Sequence, residues 1–368
     1  MQVKTAIVHD YLNQAGGAER VVGVLHDMFP SAPIYTSILD RASLWPSLKD
    51  ADIRPSWMQH IPNITRDFKL YFPFYGYAIE RFDLSAYDLV ISSSSAFAKG
   101  AKVRAGACHI CYCHTPMRFV WDYDRYMERE KVPRILQSLL PPVIRRMKTW
   151  DVRTCNRPHV YVANSSAGAE RISRYYGRGS QVIFPPVDTS RQHLSDVDED
   201  YYLIVSRLNT YKRVDLAVDA FSKAGRPLVV IGDGPARHDL EGRAARNVRF
   251  LGRLPDNEVA EYYSRCRAFV LPGEEDFGIT PLEANAAGRP VIAYRAGGAL
   301  DTVVPQRTGV FFEEQSVESL LRAVEAIESK AWDKRLIRQH AARFSEQEFR
   351  RRFTEVVERS LAALSLGL

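Results

Sequence analysis

The chain has 368 residues, 46% of them hydrophobic and 26% charged, with a formal net charge of +6. These are ordinary globular values that exclude wholesale disorder, and the length favours two domains, each able to bury its own core. No apolar run approaches the roughly 20 residues needed to span a bilayer, no signal-peptide pattern opens the chain, and the five cysteines form no secreted-type framework, so a reducing cytoplasm is expected. The basic residues are dispersed and no helix-turn-helix, RNP or finger motif accompanies them, so nucleic acid is not expected as a partner.

In chain order, Thr5-Ala-Ile-Val8 reads as a first strand ending at His9-Asp10. Gly16-Gly17-Ala18-Glu19 then opens a helix through Val21, Val22, Leu25 and Met28. A strand, a glycine turn and a helix let a ligand approach the backbone closely, but the spacing is not that of a nicotinamide fingerprint. Residues 54 to 82 are rich in aromatics, which suits either a core or a membrane-facing groove; Trp57, Phe72 and Tyr75 are candidates for the headgroup level. Tyr87 to Ser92 is a further strand running into the polar turn Ser92–Ser95, and Ile110 to His114 is another. Cys108, His109, Cys111, Cys113 and His114 crowd that strand, where alternation divides them between two faces, so buried free thiols are expected and a metal is not.

From Arg129 to Arg153 there are seven basic and two acidic residues with aliphatic residues between them. Such a basic amphipathic stretch fits contact with anionic lipid, or alternatively an ordinary surface helix, with Pro141-Pro142 breaking it. His159 to Ala163 and Val182 to Phe184 close the first half as strands, and Pro185-Pro186-Val187-Asp188 reads as a stiff linker. The expected domains are 1–185 and 186–344, with a final helix over 345–368.

The second half repeats the α/β rhythm. Tyr201 to Val205 delivers Arg207 and Lys212 to a helix start, two cations placed to suit a diphosphate. Leu228 to Ile231 leads into the turn Gly232-Asp-Gly-Pro235, and Val248 to Leu251 into Gly252-Arg253. Ala268 to Leu271 is a buried strand followed by Glu274-Glu-Asp-Phe-Gly-Ile-Thr-Pro-Leu-Glu283. Thr280 as N-cap, Pro281 at the first helical position and Glu283 three residues after the cap predict a capping box. The free N–H groups and partial positive charge of that helix end suit an anion. The residues by themselves leave two readings open, this one and another in which Glu283 only caps its helix and Glu275 is a solvated loop residue.

Seven residues separate Glu275 from Glu283, and this E-x7-E spacing resembles the retaining glycosyltransferases of family 4. The order Gly16-Gly17-Ala-Glu19, His114, Arg207, Lys212, Glu275, Glu283 fits the same family over most of the chain. The resemblance implies the GT-B fold: two Rossmann-like α/β domains facing across a cleft, with a C-terminal helix crossing back to the first. It implies that Arg207 and Lys212 neutralise a leaving diphosphate, Glu275 binds a sugar hydroxyl, Glu283 binds ribose, and His114 hydrogen-bonds the donor sugar. Backbone N–H groups of Phe277, Gly278, Ile279 and Thr280 would close around the donor. Gly16, Gly17 and Gly232 would line its site, and Gly252 and Arg253 would mark the nucleobase pocket.

The implied reaction moves a sugar, best matched to mannose from GDP-mannose, to a saccharide or a polyprenyl-diphosphate-linked acceptor in polysaccharide assembly. It needs no metal cofactor, and it places the protein peripherally on the inner face of the cell membrane, on anionic lipid. The alternatives are a nucleotide-sugar 2-epimerase of the same fold and a non-catalytic sugar-nucleotide-binding subunit.

Overall fold

The computed structural model describes residues 3–123 and 140–366. The chain forms two compact units: Met1–Pro186 with Phe349–Leu368, and Val187–Glu348. Among the described residues no helix is long and apolar enough to cross a membrane.

The first unit is built on strands β1 (Thr5–His9), β2 (Ile34–Thr36), β3 (Ile53–Pro55), β4 (Leu89–Ser94), β5 (Cys108–Cys113), β6 (Val160–Ala163) and β7 (Gln181–Val182). They lie in the order β3-β2-β1-β4-β5-β6-β7 with every neighbouring pair parallel. A parallel sheet is covered on both faces, so its strands alternate between two cores rather than between core and water. Ile7 faces one core while Ala6 and Val8 face the other. On β5 the same alternation sends Cys108, Ile110 and Tyr112 to one side and Cys111 and Cys113 to the other, where they meet Tyr161 and Tyr176. All five cysteines are free and buried. The strand expected over 182–184 lies instead at Gln181–Val182: Ile183 still donates its N–H to Ala163 O at 2.9 Å, and Pro185-Pro186, without N–H groups, end the pairing.

The last helix, Glu346–Ser365, packs into this unit. Phe349, Phe353, Val356 and Val357 enter the core beside Ile7, Val21 and Tyr112, and Arg352 donates to Val182 O at 3.0 Å. The helix Pro141–Thr154 is held by a fully buried ion pair between Lys99 and Asp151 (2.5 Å), whose second carboxylate oxygen accepts from Trp121 Nε1 at 2.7 Å. Pro141 and Pro142 therefore open a helix rather than break one, because the first-turn N–H groups have no helical partner to lose. The part of the basic stretch before residue 140 lies outside the described residues.

The aromatic segment divides sharply. Tyr75 is fully buried and cannot reach a headgroup, while Phe72 is half-buried and packs against Phe97 and Phe119. Trp57, Leu70, Phe74 and Tyr77 are the exposed members.

The second unit carries β8 (Tyr202–Val205), β9 (Leu228–Ile231), β10 (Val248–Gly252), β11 (Ala268–Leu271), β12 (Val291–Tyr294) and β13 (Gly309–Phe312). Their order is β10-β9-β8-β11-β12-β13, again all parallel, with the strand order reversing between β8 and β11. In open α/β sheets such a switch point, at the carboxyl ends of the strands, is where a crevice for ligands forms.

Buried histidines make the fold sensitive to acid, His109 among them. His109 on β5 is inaccessible to solvent, its Nε2 bonds Ser92 Oγ at 2.9 Å, and burial, with the charges of His159 and Arg157, pushes its pKa down to about 3. The unfolded chain therefore takes up a proton near pH 6.5 that the folded chain refuses, and stability falls as pH drops from 6.5 towards 3. His109 alone should cost about 2 kcal/mol by pH 5 relative to pH 8. Urea unfolding across that range should show the loss, and His109→Gln should reduce it by about 2 kcal/mol; an unchanged slope would remove His109 as a source.

Candidate functional site

Each of the six parallel strands of the second sheet sends a loop to its carboxyl edge. The loop after β8 carries Arg207, exposed, and then Lys212, at the end of a short turn of 3-10 helix (Thr210–Lys212). Arg213 follows in the left-handed conformation (φ 52°) and starts the helix Val214–Ala224. The loop after β11 carries Glu275. These two loops flank the switch point, and there Lys212 Nζ meets Glu275 Oε1 at 2.6 Å, both side chains more than four-fifths buried. Two of the residues singled out by the sequence are thus direct partners.

Glycine makes this approach feasible. A Cβ on Gly273 would lie 2.7 Å from Lys212 O, so the loop after β11 can pass the Lys212 backbone only without a side chain there. On the other side, Gly298 donates its N–H to Glu275 O at 2.9 Å, and a Cβ on Gly297 or Gly298 would fall 2.1 Å from Glu275 O or Phe277 Cα. Gly232, at φ 130°, is pressed against Ser206 O, where a Cβ would stand at 1.9 Å, and its N–H donates to Gly252 O at 2.7 Å. Gly252 is itself at φ 71° and Arg253 beyond it is exposed. Sequence reading found Gly232 and Gly252 but assigned no site role to Gly273, Gly297 and Gly298. Their signal is the one it did use elsewhere, glycine directly after a strand.

The helix after the acidic loop differs from expectation. It spans Ile279–Ala286, and its N-cap is Gly278 at φ 86° rather than Thr280. Thr280 and Pro281 therefore sit inside the first turn, where proline is harmless, and no side chain caps the end. Glu283 is too far along to close a capping box; its carboxylate accepts from Tyr263 Oη at 3.1 Å. Phe277 is buried, with its ring 6.1 Å from that of Phe344, while Ile279 and Thr280 are half-buried. Arg207, Lys212, Gly232, Gly252, Arg253, Glu275, Phe277 to Thr280 and Glu283 all belong to this unit.

Gly16, Gly17 and His114 belong to the first unit. Its own switch point lies between β1 and β4. Gly16 is the N-cap of the helix Gly17–Met28, as expected, and its N–H donates to Glu19 at 2.9 Å. His114 lies just past β5, 8% exposed, with Nε2 2.8 Å from Ser93 Oγ; burial, and then the nearby His9 charge, pushes its pKa down to about 3. It is therefore a neutral hydrogen-bonding ring near neutral pH, not a charge. Asp10, which sequence reading noted only as a strand end, is fully enclosed and accepts from four backbone N–H groups, those of Ser95, Ala96, Phe97 and Ala98, at 2.5 to 2.9 Å. Among the described residues no group of three or more His, Cys, Asp or Glu is placed to hold a metal ion.

Known proteins share this architecture. The family described as "Glycosyl transferases group 1" matches residues 188–349, and that described as "Glycosyltransferase Family 4" matches residues 15–191. The O-antigen chain mannosyltransferase C of Escherichia coli is 27% identical over 49% of this chain and 51% of its own. The GDP-mannose-dependent alpha-mannosyltransferase of Mycolicibacterium smegmatis is 34% identical over 44% of each. The chain thus spans about half the length of these curated relatives. Among solved structures, sucrose-phosphate synthase from Thermosynechococcus elongatus matches with a TM-score of 0.73 at 17% identity, over 98% of this chain and 100% of that one. HepE of Anabaena in complex with UDP matches with a TM-score of 0.70 at 16% identity, over 97% and 100%. These likenesses establish the GT-B fold.

The glycine contacts can be tested directly. Gly232→Ala should lower stability by at least about 2 kcal/mol, since it adds both a clash and a strained φ. Gly242→Ala, in the helix Arg237–Arg243 with nothing within 4 Å of the new atom, should instead be neutral or stabilising by up to about 1 kcal/mol. Urea midpoints of the two variants measure the contrast.

Proposed function

Since this chain belongs to the group 1 and family 4 glycosyltransferases, whose two matches together run from residue 15 to 349, we propose that it is a retaining transferase moving mannose from GDP-mannose to a saccharide or lipid-linked saccharide. The observation that carries this reading is the Lys212–Glu275 pair at the switch point of the second sheet, one turn before a helix whose N-terminus has no side-chain cap. Cleaving the bond between the sugar and its diphosphate leaves the electron pair on the phosphate and positive charge on the sugar. Lys212, Arg207 and the N–H groups around Phe277 to Thr280 stabilise the first, and they do so most strongly in the transition state. Glu275 exchanges Lys212 for a sugar hydroxyl when donor binds, and Glu283 takes the ribose. The acceptor hydroxyl attacks carbon 1 and its proton passes to the departing phosphate, so no further base is required.

The names of two relatives support mannose, and one of them names GDP-mannose. HepE holds UDP, so the donor screen must include UDP-sugars. Thermal-shift titration with GDP, UDP, GDP-mannose and UDP-glucose ranks them, because stabilisation grows as ligand exceeds its dissociation constant. GDP-mannose should give the largest shift, and sugar transfer should require an added acceptor. Turnover without an acceptor would indicate an epimerase, and binding without turnover a non-catalytic subunit. Lys212→Ala and Glu275→Ala should each keep a cooperative unfolding transition and lower kcat about a hundredfold, roughly 3 kcal/mol. A near-normal rate in either removes that residue from the mechanism.

The first unit would present this chemistry to a membrane surface. Phe74 and Tyr77 are exposed on the helix Phe72–Glu80, which packs through Gly76 onto Trp150 of the helix Pro141–Thr154. That second helix exposes Arg145, Arg146 and Lys148, the last 4.3 Å above the Trp121 ring. Exposed aromatics beside cations are the composition of an interfacial contact with anionic lipid. Replacing Arg145, Arg146 and Lys148 with Glu should weaken sedimentation with anionic vesicles by at least tenfold, at about 1 kcal/mol per cation, and spare a soluble acceptor. Unchanged sedimentation would discard this surface.

A further inference from the structure

A buried line of polar contacts runs through the first unit from the glycine turn to His114. Glu19 accepts from Gly16 N at 2.9 Å and from Gln14 Nε2 at 3.0 Å, and stands 3.8 Å from His9 Nε2. The other nitrogen of His9, Nδ1, lies 3.0 Å from Ser93 O and 3.1 Å from Ser93 Oγ. Ser93 Oγ is in turn 2.8 Å from His114 Nε2. His9, Glu19 and Ser93 are each 2% exposed or less.

The protons can be placed by elimination. A carbonyl oxygen only accepts, so the bond to Ser93 O requires a hydrogen on His9 Nδ1. That N–H is shared with Ser93 Oγ, which thereby accepts and keeps its own hydrogen to give. His114 Nε2 is the partner on its other side, with no further acceptor shown for the hydroxyl among the described residues. The hydroxyl therefore donates to His114 Nε2, which must be bare. We propose that His9 and Ser93, with Glu19 behind them, are positioning residues that hold the His114 ring as its Nδ1–H form, so that it presents a fixed hydrogen-bond donor to an oxygen of the bound sugar. The role in turnover rests on the glycosyl-transfer reading above; the proton placement does not.

The electrostatics agree. Burial opposes charge on both His9 and Glu19, yet their close approach and mutual attraction prevail, raising the pKa of His9 and lowering that of Glu19. Burial first, and then the positive charge that a protonated His9 would bring, oppose charge on His114 and keep its ring neutral. Asp10, the other carboxylate next to His9, is already saturated by the four N–H groups of residues 95 to 98. Nδ1 of His114 has no bond to the protein among the described residues and is not one of the buried polar atoms left without a partner, so it is the nitrogen open to a ligand.

The test is histidine-labelled nitrogen-15 NMR of the full chain at pH 7.5, with the His114 signals assigned from their loss in His114→Gln. The wild type should show His114 protonated at Nδ1 and bare at Nε2. Ser93→Ala should shift it towards the Nε2–H form or a mixture, lower kcat about tenfold for the loss of one oriented hydrogen bond, and leave the GDP-induced thermal shift unchanged. Ser93→Thr, which keeps the hydroxyl, should restore both readouts. A wild-type ring protonated at Nε2 overturns the proposal without any variant being needed. So does a tautomer unmoved in Ser93→Ala, while a moved tautomer with unchanged kcat overturns the positioning role. If the wild type transfers no sugar but shows the stated tautomer, the glycosyl-transfer reading fails and the relay stands.

Discussion

Close backbone contact at the carboxyl edge of the second sheet is the constraint from which its site follows. Parallel strands deliver every βα loop to the same edge, and the loops after β8, β9, β11 and β12 crowd there. Each crossing of two loops occurs at a glycine: Gly232 on Ser206, Gly273 on Lys212, Gly297 and Gly298 on the Glu275–Phe277 backbone. A side chain at any of these points would force the neighbouring loop to shift and disturb the approach of Lys212 to Glu275. The ion pair is thus a consequence of steric permission as much as of charge. It is also weakly committed: both side chains keep some contact with solvent, so exchanging one partner for a ligand oxygen does not strand a charge in a dry interior.

The first unit handles charge in the opposite manner. Asp10, Lys99, Asp151, His9 and Glu19 are all enclosed, and each is compensated by partners fixed in the fold. Four backbone N–H groups on one carboxylate replace water almost completely. Such arrangements contribute little net stability compared with an apolar core, but a misplaced partner is costly, so they enforce one geometry. That rigidity also fixes the surroundings of His114, whose buried ring stays neutral near pH 7.

Much of this was legible locally. The strands were visible as short apolar runs, the helix from Gly17 as a glycine turn followed by apolar spacing, and the spacing of Glu275 and Glu283 as a motif. The legible features share one property: each is set by residues within a few positions of one another. The helix start at Gly278 escaped for a related reason. Thr280-Pro281 satisfies a local capping rule, but the chain must bend at φ 86° to bring the acidic loop under Gly297 and Gly298, and only glycine tolerates that bend.

What the sequence determined alone was therefore the identity and order of the parts: an α/β chain with cations after one strand, carboxylates after another and a histidine after a third. Tertiary structure decided who pairs with whom. Lys212 finds Glu275, Glu283 finds Tyr263 rather than its own helix end, and His9 finds Ser93 across 84 positions of chain. It also decided that Tyr75 is core while Phe74, one residue before it, is surface. Pairings between residues far apart in sequence depend on strand order and on which loops glycine allows to touch, and neither is written in any short window of residues.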